Sequence, residues 1–488
     1  MELWLLIVPL IVALLCTVFK QRKILEVINF LGAAIFFSLA ILITQQVFTV
    51  GPIISGRGLI YIDALSAYII LIISLVGLVT ALYTVGYLRN EVAHGVIEEK
   101  RLRWYYFWFF IFIFSMFLLA TAHNLGVMWV AIEATTLTSA MLVGFYNKEH
   151  SLEAAWKYII ICTVGIVFAL FGTIILYFAA VPVIGEGSHA LVWTNLLWAA
   201  KSMDPTLLKL AFIFILVGYG TKAGLAPMHT WLPDAHSQAP SPVSALLSGV
   251  LLNCAVYAII RVHLIVSKGV GISYSSNLLL IFGLISMAVA LPFILMQHDF
   301  KRLLAYSSVE HIGIITAAVG LGGPLALYGA VFHMFNHAVS KSLLFFVAGN
   351  VTQTYQTKKM RRITGVLKTM PITGAALLIG ALAITGLPPF SLFISEFTIL
   401  SAGFAQGRYL ASGIFLLLIT LIFAGIMYYV IKMAFGEPWG KVSKGENGIL
   451  TGVLFSVMVI MLLVLGLYIP PFFDQMLNQV AAVVGGGI

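Results

Sequence analysis

Residues 218–227 read GYGTKAGLAP and residues 380–389 read GALAITGLPP, and both apolar stretches stop at a Gly-Leu step followed by proline. Proline inside a helix removes a backbone hydrogen bond and clashes with the preceding turn. In lipid, the freed carbonyls must be satisfied by protein or by trapped water. Each break is followed seven residues after its last proline by an acid, Asp234 or Glu396. Four recurring residues alone are weak evidence, but the matched spacing favours an internal repeat, which is typical of transporters.

Composition places the chain in a membrane. Of its 488 residues 61% are hydrophobic and 9% are Asp, Glu, Lys or Arg, whereas soluble domains carry roughly 25% charged residues. This excludes a water-soluble enzyme and a disordered chain, and the absence of alternating segments argues against a membrane barrel. The net charge of +9 comes from basic residues in short loops between apolar runs, so it reflects topology and not nucleic-acid binding. The sequence predicts an all-α polytopic membrane protein.

About fourteen transmembrane helices are predicted from the apolar runs. They cover residues 3–19, 28–50, 64–84, 104–121, 124–146, 153–180, 206–226, 241–266, 276–297, 302–321, 324–350, 371–400, 409–435 and 448–470. Nineteen of the 27 Lys and Arg residues lie in or beside the loops after odd-numbered spans, six lie on the other side, and two lie inside spans. The positive-inside rule therefore predicts cytoplasmic odd loops and both termini outside. The first span lacks the features of a cleaved signal peptide, so we expect it to be retained.

The two breaks divide the chain. We expect N-terminal helices 1–3 in residues 1–103, a first five-helix repeat in 104–266, a second in 267–435 and a C-terminal helix 14 in 436–488. An odd number of spans per unit forces the second repeat to be inverted relative to the first.

Two charges in the first predicted repeat are candidate functional residues, because charges inside a span are costly. Glu133 lies in the middle of span 5, and Lys222 lies just before the first break. A Glu/Lys pair whose separation changes acts as a switch of proton affinity. The alternatives are a structural ion pair for Glu133 and, for Lys222, satisfaction of the carbonyls freed by Pro227.

The second repeat carries His333, His337 and Lys341 at a spacing of four, which places them on one helix face. Imidazoles titrate near neutrality, so a proton relay is favoured over satisfied polar contacts. A metal site is a further alternative, but Met334 stands where HExxH would need its glutamate, and no third ligand is evident nearby. Glu396, beyond the second break, is either the terminal acid of a path or a helix-end acid in water.

Three weaker candidates are His229, His236 and Glu310. The two histidines flank a turn and are either a proton port or interfacial residues. Glu310, with His311 beside it, is expected one to two turns into a span, within reach of the headgroup region.

We expect no cofactor in this chain. Cys16, Cys162 and Cys254 each lie alone in an apolar run, whereas an iron–sulfur cluster needs about four thiolates. No GxSxG, Walker A or HExxH motif is present. The chain has no catalytic centre of its own by these criteria.

Four segments together resemble a known family. AIEATTLTSAMLVGFY (131–146), SLEAAWKYIIICTVG (151–165), KRLLAYSSVEHIG (301–313) and FNHAVSKSLLFF (335–346) are similar to the antiporter-like membrane subunits of respiratory complex I, Mrp sodium/proton antiporters and membrane-bound nickel–iron hydrogenases. GYGTKAGLAP continues the resemblance, which extends from about residue 60 to 435. The most specific pieces resemble the component F subfamily of hydrogenase 4 and formate hydrogenlyase-type complexes.

The resemblance implies a fourteen-helix subunit whose proton path runs along the membrane midplane. The family's path residues correspond to Glu133 in helix 5, Lys222 in helix 7, the set His333, His337 and Lys341 in helix 11, and Glu396 in broken helix 12. One departure is Asn253, which stands where complex I relatives carry a helix 8 lysine. Asparagine holds water but no charge, so the central link would need water and a histidine.

The implied function is translocation of protons or sodium by a non-redox subunit of a redox-driven hydrogenase or NADH-quinone oxidoreductase-like complex. Implied partners are other membrane subunits and a peripheral arm with nickel–iron and iron–sulfur subunits, in a bacterial or archaeal cell membrane. Two alternatives stay open: a subunit of a stand-alone sodium/proton antiporter, and an assembly scaffold with a vestigial path.

Overall fold

The computed structural model of the chain describes residues 1–440, 442, 444–446 and 448–487. Its helices are α1 (Glu2–Val18), α2 (Arg22–Val50), α3 (Ala64–Ala93), α4 (Leu102–Thr121), α5 (Leu125–Val143), α6 (Glu149–Ile184), α7 (Trp193–Ala199), α8 (Pro205–Ala223), α9 (Trp231–Gln238), α10 (Ser241–Leu246), α11 (Leu252–Val270), α12 (Ile272–Leu295), α13 (Phe300–Leu321), α14 (Gly323–Tyr355), α15 (Val366–Thr369), α16 (Pro371–Ile384), α17 (Ser391–Ala405), α18 (Tyr409–Ala434), α19 (Ile449–Leu467) and α20 (Pro471–Val484). A short antiparallel hairpin, β1 (Ile53–Ser55) and β2 (Ile60–Ile62), precedes α3. Lys441, one of the loop lysines behind the predicted orientation, lies outside the described residues.

The predicted polytopic helical fold is confirmed. Within the described residues, 11 helical segments are long and apolar enough to cross a membrane. The other three predicted spans coincide with α1, with the 33-residue α14, and with the pair α16 and α17. Each predicted span therefore falls on a helix or on a broken pair.

Both predicted breaks are present, and glycine makes each of them possible. α8 ends at Ala223, its C-cap Gly224 has a φ of 80°, and the short α9 follows from Trp231. α16 and α17 flank Gly386, whose φ is 66°. Left-handed backbone of this kind is readily adopted only by glycine. The inverted relation of the two five-helix units, and the division of the chain at residues 103, 266 and 435, stay predictions.

The most buried helices form the interior of the bundle. In the most apolar stretch of the segment Ser241–Val270 every residue is buried, and in that of α13 the buried share is 94%. In α2, α12 and α18 the buried share is only 39%. Ser241–Val270 is α10 and α11 joined by a π-helical turn, Leu247–Leu251. Polar side chains on α11 and α13 therefore face protein and not lipid.

Arg261, one of the six basic residues assigned above to the side opposite the odd-numbered loops, is not a loop charge. The residue lies in α11, and its guanidinium makes two hydrogen bonds to the carboxylate of Asp63, at 2.7 and 2.5 Å. Asp63 also caps α3, accepting from the backbone N–H of Ser66 at 2.9 Å. This charge is an internal tie between helices, so it carries no information on sidedness.

Candidate functional site

Lys222 is fully buried in the last turn of α8. Its Nζ donates to Thr136 Oγ1 at 2.9 Å and to Tyr158 OH at 2.5 Å, and it lies 4.7 Å from the centre of the Tyr158 ring. None of these acceptors is a carbonyl freed by Pro227. The geometry therefore disfavours the alternative in which Lys222 only satisfies the broken backbone.

Glu133 and Lys222 do not form an ion pair within the described residues. Glu133 Oε1 accepts a hydrogen bond from Thr163 Oγ1 at 2.9 Å, and its Oε2 is buried without a partner. The ammonium of Lys222 instead contacts α5 at Thr136, one turn after Glu133. The predicted charge pair is thus present as two separately bonded groups, Glu133 on α5 and Lys222 on α8.

Asn253, the residue predicted above to depart from the family pattern, bridges the interior helices. Its Nδ2 donates to the carbonyl of Gly249 at 2.9 Å and to that of Met334, on α14, at 3.2 Å. Its Oδ1 makes no hydrogen bond within the described residues. We call the buried polar residues from Glu133 and Lys222, through Asn253, to Lys341 and Glu396 the buried polar array. Its centre, at Asn253, is polar and uncharged, as the departure from the family pattern predicts.

Lys341 anchors the second half of the array. Its Nζ donates to Ser307 Oγ at 2.7 Å and to the carbonyl of Leu304 at 2.9 Å, both on α13. Glu310 lies one turn beyond Ser307 and is 4% exposed. The expected headgroup contact of Glu310 is wrong, because α13 runs through the bundle interior and not along its edge.

His311, His333 and Ser395 form a directional hydrogen-bond chain between α13, α14 and α17. His311 Nδ1 lies 3.0 Å from His333 Nε2, and His333 Nδ1 lies 2.9 Å from Ser395 Oγ. The Ser395 hydroxyl donates its own proton to the carbonyl of Leu392. His333 Nδ1–H must then donate to Ser395, which leaves His333 Nε2 to accept from His311 Nδ1–H. The network therefore assigns one tautomer to each neutral ring.

The remaining nitrogen of His311 faces an acid. His311 Nε2 makes no hydrogen bond within the described residues and lies 3.9 Å from Glu310 Oε2. In the tautomer above this nitrogen carries a lone pair, so it is positioned to receive a proton. His337, one turn from His333, is fully buried with both ring nitrogens unbonded, and its ring centre lies 5.3 Å from that of His311. The three α14 residues predicted to share a face do so, toward α13.

Glu396 is buried, at 5% exposure, on α17. A Cβ on Gly386 would lie 2.1 Å from Glu396 Oε2, so only glycine leaves room for the carboxylate at the break. The alternative of a helix-end acid in water is wrong, because the broken segment folds over the side chain. Asp234, its counterpart after the first break, is 26% exposed, lies 3.6 Å from Lys157 and pairs with Arg302. The matched spacing in sequence therefore leads to two different environments.

Two of the weaker candidates, His229 and His236, are also buried in the protein, and whether they form a proton port or lie at the membrane interface stays a prediction. His236 is fully buried and stacks on Phe345 at 5.2 Å, and within the described residues neither of its ring nitrogens has a hydrogen bond. His229 is 6% exposed and lies beside the rings of Phe293 and Tyr306.

Sequence reasoning missed the hydroxyl partners Thr136, Tyr158 and Ser307, and it placed His311 at the membrane surface. A signal for His311 exists in the sequence. Ser307, Glu310 and His311 are spaced i, i+3 and i+4, which puts them on one face of α13. α13 is also the least hydrophobic of the candidate spans among the described residues, as expected for a helix surrounded by protein.

The fold and this buried polar array define a polytopic antiporter-like membrane subunit. The chain belongs to the family described as NADH:quinone oxidoreductase/Mrp antiporter, transmembrane, whose profile matches residues 122–422. It is 42% identical to a hydrogenase-4 component F homolog of Methylacidiphilum infernorum, over 84% of this chain and 85% of that protein. It is 35% identical to hydrogenase-4 component B of Escherichia coli, over 71% of this chain and 51% of that longer protein. The resemblance inferred from the motifs is confirmed.

Solved structures agree with this assignment. A chain of an archaeal membrane-bound sulfane sulfur reductase superposes with a TM-score of 0.89 at 25% identity, covering 99% of this chain and 97% of that one. A chain of the Mrp complex from Dietzia has a TM-score of 0.86 at 18% identity, covering 99% and 97%, and shares the fold. These relatives and neighbours are subunits of multi-subunit membrane complexes. The roles of individual residues, and the expected lack of a cofactor, stay predictions.

Proposed function

We propose that this chain translocates protons across a bacterial or archaeal cell membrane, as a non-redox subunit of a redox-driven complex of the hydrogenase type. The observation that carries the proposal is the buried chain Glu310, His311, His333 and Ser395, in which each ring has one donor and one acceptor nitrogen, with the Glu396 carboxylate within 4.8 Å of ligand atoms of both rings. Intramembrane titratable groups are expensive and mark ion pathways. Such a chain suits protons better than sodium, which prefers oxygen ligands.

In the second half of the buried polar array, from Glu310 to Glu396, a proton is passed by exchange between neighbouring groups. A proton from Glu310 binds His311 Nε2 and forms an imidazolium, which releases its Nδ1 proton to His333 Nε2. His333 then releases its Nδ1 proton to Ser395. The Ser395 hydroxyl turns away from the Leu392 carbonyl and passes its own proton, through water, to Glu396. One proton enters and one leaves, and both rings end in the opposite tautomer. The positive charge of Lys341, whose ammonium donates to Ser307, sets the electrostatic potential at Glu310.

The first half stores charge at Lys222, and Asn253 with water would connect the halves. A lysine held by neutral hydroxyls releases its proton without leaving a carboxylate unpaired. Partners under this proposal are other membrane subunits and a peripheral arm with nickel–iron and iron–sulfur subunits. The identity to the hydrogenase-4 homolog supports this arm over a stand-alone antiporter.

Lys222→Ala provides the test, in membrane vesicles that contain the assembled complex. We expect proton uptake driven by the redox activity of the complex to fall at least tenfold, with the subunit still assembled. Lys209→Ala is the matched control, because Lys209 is on the same helix but exposed. Proton uptake at the wild-type rate in Lys222→Ala would remove this residue from the path.

A further inference from the structure

We propose that His311, His333 and Glu396 form a binding site for a divalent transition-metal ion such as Zn²⁺. One ligand atom from each of the three residues lies within 4.8 Å of the others, and all three side chains are buried. The residues come from three helices, α13, α14 and α17. The third ligand that the sequence around HMFNH did not reveal is therefore supplied from elsewhere in the fold.

The distances fit zinc after small side-chain rotations. Zinc binds histidine nitrogen and carboxylate oxygen at about 2.0–2.2 Å, so ligand atoms of a tetrahedral site are roughly 3.4 Å apart. The facing nitrogens of His311 and His333 are 3.0 Å apart, close to that value. The carboxylate of Glu396 has to approach by about 1.4 Å at most, and no hydrogen bond within the described residues fixes it elsewhere.

The surrounding residues are arranged as metal-bound histidines require. A ligating histidine usually donates its other ring N–H to a hydroxyl, carbonyl or carboxylate. His333 Nδ1 already donates to Ser395, which leaves Nε2 for the metal. His311 would move its proton from Nδ1 to Nε2, where Glu310 Oε2 lies 3.9 Å away and would accept it.

Charge and coordination number also agree. The carboxylates of Glu310 and Glu396 together balance a divalent cation. His337 lies beside the three ligands, fully buried, with its ring centre 5.3 Å from that of His311 and with both nitrogens unbonded within the described residues; a movement of this ring, or a water molecule, would complete four-coordination. An unbonded buried imidazole costs free energy unless something binds it.

Metal binding would block the proton chain, and this consequence rests on the proposed function. The metal takes the lone pair of His333 Nε2 that accepts the proton from His311. The binding site itself is independent of that function, so the two ideas are tested separately.

The binding test uses the full chain, purified in detergent without a polyhistidine tag. Zn²⁺ is titrated in competition with a fluorescent zinc chelator, and Co²⁺ is added separately to record its visible absorption. We expect one Zn²⁺ per chain and the intense Co²⁺ bands of a tetrahedral site. His333→Gln and Glu396→Gln should each weaken binding at least tenfold, and Glu396→Asp should weaken it less because the carboxylate is kept.

His263→Gln is the matched control, since His263 is buried on α11 and bonds Ser275 away from the cluster. Size-exclusion profiles identify any variant that fails to fold. Binding by His333→Gln and Glu396→Gln equal to wild type, or no binding by the wild-type chain, overturns the site. If zinc binds with these dependences but wild-type vesicles pump no protons, the site stands and the proposed function fails.

Discussion

The two buried lysines of the array are held by neutral oxygens, two hydroxyls for Lys222 and one hydroxyl with the Leu304 carbonyl for Lys341. Lys222 donates to Thr136 and Tyr158, and Lys341 donates to Ser307. A buried ion pair resists separation, because removing one partner leaves the other charge uncompensated at a cost of about 3–5 kcal/mol. Neutral oxygens impose no such penalty when the ammonium releases its proton. The neutral partners of each lysine are therefore consistent with the reversible proton transfer proposed above.

Glu396 provides a prediction at the residue scale. Glu396→Gln keeps the shape of the side chain but carries no exchangeable acid proton, so proton uptake by vesicles should fall at least tenfold while electron transfer persists or slows. Glu396→Asp keeps the acid with a reach shorter by one methylene, so partial activity should remain. If both variants take up protons like wild type, Glu396 is not part of the path.

The free-energy cost of placing a charge in a membrane span explains which site residues could be predicted from the sequence. Glu133, Lys222 and Lys341 are conspicuous because a charge in an apolar run requires a reason. Thr136 and Tyr158 are inconspicuous, because hydroxyls are common in membrane helices and can bond to their own backbone. Burial of Glu310 depends on the position of α13 within the bundle, which a single span does not encode.

At the scale of elements, the tie between Asp63 and Arg261 joins the start of α3 to α11. Burial alone would raise the pKa of the Asp63 carboxyl, but the adjacent Arg261 guanidinium outweighs burial and lowers that pKa. Asp63 therefore stays ionised. Its contribution to stability is complete above the ordinary carboxyl pKa, and it is lost as the pH falls through the lowered pKa of the folded chain.

Asp63→Asn tests this tie. The substitution leaves the buried guanidinium without its counter-charge, so the free energy of unfolding should fall by about 3–5 kcal/mol, measured as a lower melting temperature of the purified chain. Asp204→Asn is the control, because Asp204 caps α8 at an exposed position and asparagine caps helices equally well. Equal melting temperatures of the two variants would contradict a structural role for the ion pair.

The elements that the sequence did not predict are short or amphipathic. α20 packs against α14, where Tyr328 donates to Asp474 at 2.7 Å. Its 14 residues are too few for a transmembrane run, and the periodicity of so short a segment is weak. The long apolar spans were predictable because a bilayer fixes their length and composition, whereas α20 depends on tertiary packing.

For the whole molecule, orientation in the membrane is the prediction that remains open to direct test. Basic loops on one side predict that Lys359, which is exposed, faces the cytoplasm. The three native thiols are buried, so single introduced cysteines should give clean signals. In intact cells, a membrane-impermeant maleimide should label Lys201→Cys and not Lys359→Cys. The reverse pattern would invert the topology and the direction of the proposed proton path.

The π-helical turn at Leu247–Leu251 changes how this helix must be compared with those of relatives. A π turn holds one more residue than an α turn, so every later side chain is rotated by about 100° from its place on an unbroken helix. Comparison with a relative that lacks such a turn would need a shift of helix phase before residues after Leu251 are equated. The turn thus decides which α11 side chain reaches the carbonyl of Met334, here Asn253, and without it a different neighbour would face that carbonyl.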